Sequence, residues 1–193
     1  RGIPLGKLVE CVSVINTGAK YNDDVFQFSV GLNGVGTKAV NALSSHFRVV
    51  SVREGKLAEA IFERGKLISE RSGTVKAGIK DGTFVEFTPD TEVFGPYAFN
   101  QEFIERRMWN YAYLNSGLLI KYNGNEYVSQ NGLLDLLKSE IEGESLYPLG
   151  YYKGKQLEFS FSHSNAYGEN YFSFVNGQYT SDGGTHLSAF KEG

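Results

Sequence analysis

Three stretches, FRVVSVRE, LAEAIFERG and GTFVEFTPD, set polar against apolar residues in alternation, and this limits the fold more than any other feature of the chain. Period-two alternation gives a strand one buried and one wet face, the mark of antiparallel pairing. Strands of a parallel sheet covered on both faces carry nearly continuous apolar runs instead. In the third stretch Phe84, Glu86 and Thr88 oppose Val85, Phe87 and Pro89, and residues 25–30, VFQFSV, repeat the pattern on a shorter scale. Helical spacing appears between these runs. It predicts a helix over 5–15 with Leu8, Cys11, Val12 and Ile15 on one face, and another in TKAVNALSSHF with Val40, Leu43 and Phe47 as its buried stripe. Asn100 is placed to cap a helix over 101–115 with Ile104, Met108, Tyr111, Ala112 and Asn115 on one face. Asn131 is placed to cap another, containing Leu133, Leu134, Leu136, Leu137 and Ile141. Asn123-Gly124 marks a hairpin turn. Near the end, QLEFSFSHS and ENYFSFVNGQYT are expected to form two antiparallel strands joined by a turn. The class is α+β with a mostly antiparallel sheet, and a boundary near 130 divides a main domain, 1–130, from the start of a second, 131–193.

At 193 residues with 41% hydrophobic and 14% aromatic content, the chain can bury a core, which excludes a disordered protein. A net charge of -3 gives no basic footprint of the kind a free-standing nucleic-acid binder carries, so contact with DNA would come through a larger assembly. Cys11 is the single cysteine, which rules out an internal disulfide or a multi-cysteine zinc site and fits a reducing cytoplasm. No run is long enough to cross a bilayer, and Arg1-Gly2-Ile3-Pro4 does not begin a signal peptide, so no membrane partner is expected. The absence of an initial Met and the ending Lys191-Glu192-Gly193 are those expected of a piece of a longer protein.

The chemistry centres on Gly31-Leu32-Asn33-Gly34-Val35-Gly36, followed at once by the helix that Thr37 begins. Such a loop turns backbone N–H groups toward a common point and suits an anion such as phosphate; a plain tight turn before a helix is the competing reading. A Walker A loop fails, because Lys38 follows Thr37 rather than preceding a Ser or Thr after Gly. Gly34, Gly36 and Ala39 satisfy the Rossmann spacing, with Glu54 at ribose distance. Gln27, Ser29, Arg48 and Ser51 interrupt strands that a doubly covered sheet would keep apolar, which ranks that reading lower. Lys20 lies close enough before the loop to reach the same anion. His46, His163 and His186 lack ligand spacing and are expected at the surface or in hydrogen bonds, so no metal site is expected. Cys11 is expected to pack, and Asp23, Asp24, Glu102 and Glu105 to be solvated.

RGIP, TGAKYNDD, VGLNGVGTKAVNALS, GTFVEF, YLNSG and DGGTHLSAF stand here in an order that resembles the ATP-binding subunits of type IIA DNA topoisomerases, from end to end. The stretch from Gly31 to Ser44 resembles the ATP lid of the GHKL ATPases. The resemblance implies a Bergerat-type two-layer α/β sandwich followed by the first part of an α+β transducer domain. It implies ATP and Mg2+ as ligands of the intact protein. As partners it implies DNA, a second copy of the ATPase region, and the topoisomerase A subunit. Residue by residue, Gly2 corresponds to the closing glycine of the adenine-site motif D-x-G-x-G, Ile3 to the adenine wall and Thr83 to the group that fixes the adenine edge. Lys20 corresponds to a phosphate-contacting lysine, Leu32, Asn33, Gly34, Val35 and Gly36 to the lid, and Arg53 to an arginine at the pocket mouth that meets aminocoumarin inhibitors. The family's general base and magnesium-binding Asn would precede Arg1, and its transducer lysine would follow Gly193, so no catalytic residue is expected within the chain and no hydrolysis by it alone. Val30-Gly31-Leu32-Asn33 departs from the Gly-Gly-Leu-His of gyrase-like lids and, with NTGAKYNDD, leans toward the topoisomerase IV branch. A pure interaction module with an incomplete pocket is the rival from another class; a GHKL chaperone or kinase is a third, against which YLNSG and DGGTHLSAF speak.

Overall fold

Two X-Gly pairs shape the centre of the first half. Glu54-Gly55 (φ 52° and 74°) and Arg64-Gly65 (φ 50° and 77°) are both left-handed, the geometry of two-residue hairpin turns that matches strand twist. They fold β1 (Ser44–Arg53), β2 (Lys56–Glu63) and β3 (Lys66–Thr74) into a meander, and β4 (Gly82–Pro89) returns to pair with β1. The sheet runs β3-β2-β1-β4 and every pairing is antiparallel. The computed structural model describes residues 4–17 and 34–193. It divides into two compact units, Arg1–Ala98 and Phe99–Gly193.

In the first unit, Phe47 and Val49 of β1 and Ala58, Ala60 and Phe62 of β2 form one buried sheet face, on which Leu8 and Val12 of a short helix pack. That helix, α1, spans Leu8–Ser13 after a single 3-10 turn, Leu5–Lys7. It stops short of the expected Ile15, which is exposed, and the Thr17 hydroxyl closes its end by donating to the Val14 and Glu10 carbonyls. The second helix, α2, spans Gly36–Ala42. Its expected continuation to Phe47 does not form, because residues 44–47 enter β1, where Phe47 lies opposite Phe62 and Phe87. Burial against two strands outweighs the helical spacing of Val40, Leu43 and Phe47. Val40 and Leu43 are exposed, and the buried residues of α2 are Lys38 and Asn41. The strand β3, between the second and third alternating stretches, is additional to those expected from sequence.

The opposite sheet face mixes charged residues with Val50, Ile61 and Phe84. Glu59 is buried there between Arg48, at 2.6 Å, and Arg71, with which it also pairs. The Arg71 hydrogen bond holds its carboxyl below the usual carboxylate range, against the opposing effect of burial and with help from Arg48. At the sheet's end Asp90 caps α3 (Thr91–Phe94) through the Glu92 N–H and pairs with Arg64.

In the second unit Asn100 caps α4 (Gln101–Leu114) as its position predicts, accepting from the Phe103 N–H. Trp109 stacks on Tyr113 and meets Tyr127 edge-on, tying α4 to the hairpin of β5 (Ile120–Tyr122) and β6 (Asn125–Tyr127), which turns at Asn123-Gly124 as expected. Asn131 does not cap α5 (Leu133–Glu140). Gly132 holds that position at φ 61°, and Asn131 instead donates from its N–H and its side-chain amide to the Asp135 carboxylate. QLEFSFSHS and ENYFSFVNGQYT are not partners of each other. β8 (Glu158–Phe161) pairs with β7 (Gly150–Lys153), and β9 (Phe174–Val175) with β10 (Gln178–Tyr179), each closing a local hairpin of lower entropic cost. Phe159 meets Phe190 of α6 (Thr185–Glu192), and His186 of α6 hydrogen-bonds to Ser173 and Thr180. The sequence boundary at 130 falls inside this unit, between β6 and α5.

Candidate functional site

The site is built where the glycine loop meets α2. Gly34 has φ 57°, a left-handed conformation in which a side chain would be strained. A Cβ there would also lie 2.9 Å from the Thr17 carbonyl oxygen and 3.2 Å from Lys38 Nζ. Lys38, only 8% exposed, donates to that same carbonyl at 3.1 Å. One turn further along α2, the Asn41 amide donates to the Val12 carbonyl at 2.9 Å. The side of α2 that faces the fold is therefore polar and grips the end of α1. Gly36 would meet nothing with an added Cβ, and Val35 is exposed.

Thr83 sits opposite Ser51 in the β1–β4 register, so it lies on the sheet face that carries Phe47 and Val49, the face on which the helices pack. Arg53, two residues beyond Ser51, shares that face, and its guanidinium reaches Glu54 at 3.7 Å. The Arg48–Glu59–Arg71 cluster is on the other face and takes no part. Of the residues singled out in the sequence, Gly34 is brought against Lys38 and Thr17, while Thr83 and Arg53 share one face of the sheet. Gly2, Ile3, Lys20, Leu32 and Asn33 lie outside the described residues. Lys38 is the residue that sequence reasoning passed over, considering it only as a misplaced Walker lysine. Its three-residue spacing from Asn41, on the side of α2 away from Val40, was the available signal.

Among the described residues no group of three or more His, Cys, Asp or Glu is arranged to hold a metal. Among the same residues no helix is long and apolar enough to cross a membrane.

Against known proteins, residues 122–193 match the family model described as DNA gyrase B. Over its whole length the chain is 63% identical to the B subunit of DNA topoisomerase 4 from Borreliella burgdorferi, of which it covers 32%. It is 33% identical to the B subunit of DNA gyrase from Helicobacter pylori J99, covering 28% of that protein. The chain thus spans about a third of the length of the curated relatives it matches. Among solved structures, the 43K ATPase domain of Thermus thermophilus gyrase B in complex with an aminocoumarin aligns with TM-score 0.69 and 34% identity, over 82% of this chain and 47% of that one. The ATPase region of Saccharomyces cerevisiae topoisomerase II aligns over 100% of this chain and 54% of that one with TM-score 0.78, a likeness of fold at 21% identity. The fold is α+β, that of the GHKL ATPase domains, with helices layered on a largely antiparallel sheet. Over its whole length the chain is homologous to the B subunits of bacterial type II DNA topoisomerases.

Proposed function

We propose that this chain is the part of a topoisomerase IV-type B subunit that carries the ATP lid, part of the adenine wall, and, over 131–193, the first part of the transducer. The observation that carries this reading is the 63% identity along the whole chain to the Borreliella topoisomerase 4 protein, nearly twice that to the Helicobacter gyrase protein. Gly34, Val35 and Gly36, with Lys20, Leu32 and Asn33, cradle the ATP phosphates. Gly2, Ile3 and Thr83 define the adenine pocket, with Arg53 at its mouth, where an aminocoumarin of the kind bound by the Thermus domain would meet it. In the intact cytoplasmic protein, magnesium-ATP bound by two copies closes a gate on a DNA segment, the A subunit cleaves the duplex through which the segment passes, and hydrolysis reopens the gate.

Replacing Thr83 with valine keeps the shape and removes the hydroxyl. In the full-length protein it should weaken binding of a non-hydrolysable ATP analogue by about five- to tenfold, the value of one net hydrogen bond, and narrow the preference for adenine over guanine nucleotides. Isothermal titration with both nucleotides reads this, and unchanged affinity and selectivity would remove Thr83 from the adenine site.

A further inference from the structure

We propose that Lys38 is a positioning residue that fixes the base of the nucleotide loop by joining its two stems, Thr17 and Gly34. The proposal rests on the nucleotide-binding reading above. Thr17 and Gly34 flank residues 18–33 in the chain and meet in space. The Thr17 carbonyl accepts from Lys38 Nζ at 3.1 Å, and the Cβ position of Gly34 lies 2.9 Å from that carbonyl and 3.2 Å from Nζ. The contact is built on both sides. Thr17 is held by its hydroxyl on the Val14 and Glu10 carbonyls, and α2 is held by Asn41 on the Val12 carbonyl.

An ammonium is a costly choice for so buried a position if packing were its whole role, since an aliphatic side chain of similar length would fill the space without losing water. What the ammonium adds is a strong donor to a backbone carbonyl at the point where the two stems must stay together. Joining the stems fixes the separation of Thr17 and Gly34 before any ligand arrives, so that part of the ordering cost does not fall on binding. Gly34 completes the arrangement, because any side chain there would push against the Thr17 carbonyl. Lys38 thus acts through the stems, and its removal should raise KM for ATP while leaving kcat close to that of the parent.

The test uses the full-length protein and its Lys38→Met, Lys38→Arg and Gly34→Ala variants, with thermal melting to confirm folding. Hydrogen exchange without nucleotide is followed at the Val14 and Ala39 amides, which are bonded to the Glu10 and Val35 carbonyls. Losing one charge-assisted hydrogen bond should speed exchange there by about tenfold in Lys38→Met and raise KM by a similar factor, with Lys38→Arg recovering part of both. Gly34→Ala should reproduce the exchange change, and combining it with Lys38→Met should add little further. Parent-like exchange in Lys38→Met together with weakened ATP-analogue binding would overturn the proposal in favour of direct phosphate contact. Parent-like exchange with parent-like KM would overturn it altogether. If the parent protein binds no ATP analogue, the nucleotide reading fails, while the exchange rates still decide whether Lys38 joins the stems.

Discussion

Phe62→Ala is expected to lower the unfolding free energy of the first unit by about 3–5 kcal/mol, the cost of emptying a large aromatic site in a core that relaxes only in part. Phe62 is fully buried, meets Phe47 edge-on at 6.1 Å between centroids, and lies in the single apolar layer between the sheet and α1. Among the described residues, Leu8, Val12 and Val49 are the other bulky buried members of that layer, Leu5 and Val9 pack at its edge, and Ala58 and Ala60 contribute little volume. The cavity therefore opens where neighbours are least able to fill it. Phe87, on the same sheet face but exposed, supplies the contrast: its replacement should cost only a small part of that amount. Denaturant unfolding of both variants measures the difference. Equal losses at the two positions would mean that the core does not lie between β1, β2 and α1.

The second large effect is expected at Asp135. Its carboxylate accepts from the Ser129 hydroxyl at 2.7 Å and from the Asn131 N–H and side-chain amide, each at 3.0 Å. These bonds close the approach to α5, and Asp135→Ala leaves the three donors without their acceptor, at a cost of about 2–4 kcal/mol. The Asn131 amide is the chief reason the carboxyl is held below its ordinary range; partial burial opposes it, and Ser129 adds to it. The sign follows from linkage. A carboxyl whose folded pKa is lowered contributes stability that is fully present above its unfolded value, about 3.9, and that disappears as pH falls through the lowered folded value. The gap between parent and variant should thus be widest near neutrality and shrink in acid. Unfolding curves across that range test it, and a gap independent of pH would show that Asp135 acts without its charge.

The strands that could be read from sequence are those whose residues alternate between apolar and polar: β1, β2 and β4, the last of them exposed on both faces. The third strand of the meander could not, because Leu67-Ile68 runs straight into a polar stretch without alternation; the Arg64-Gly65 turn before it was the better clue. Spacing misled at Phe47, where a residue seven places beyond Val40 suits a helical stripe yet finds its partners across strands, at Phe62 and Phe87. Asn131 misled in another way: it has the chemistry of a cap, but Asp135 supplies a stronger acceptor one turn later and reverses its role. At the candidate site, resemblance could name Thr83, Arg53 and the loop glycines, but no local pattern could reveal that Lys38 reaches back to Thr17. That contact joins positions 21 residues apart, and it depends on where α2 docks.

The most direct test of nucleotide-driven function compares magnesium-dependent ATP hydrolysis by the full-length protein with that by residues 1–193 alone. Turnover is expected from the full-length protein, with its loss when Gly34 and Lys20 are replaced together, and none is expected from residues 1–193. A full-length protein that neither hydrolyses ATP nor binds its analogue would contradict this and leave the chain an interaction module on an ATPase fold.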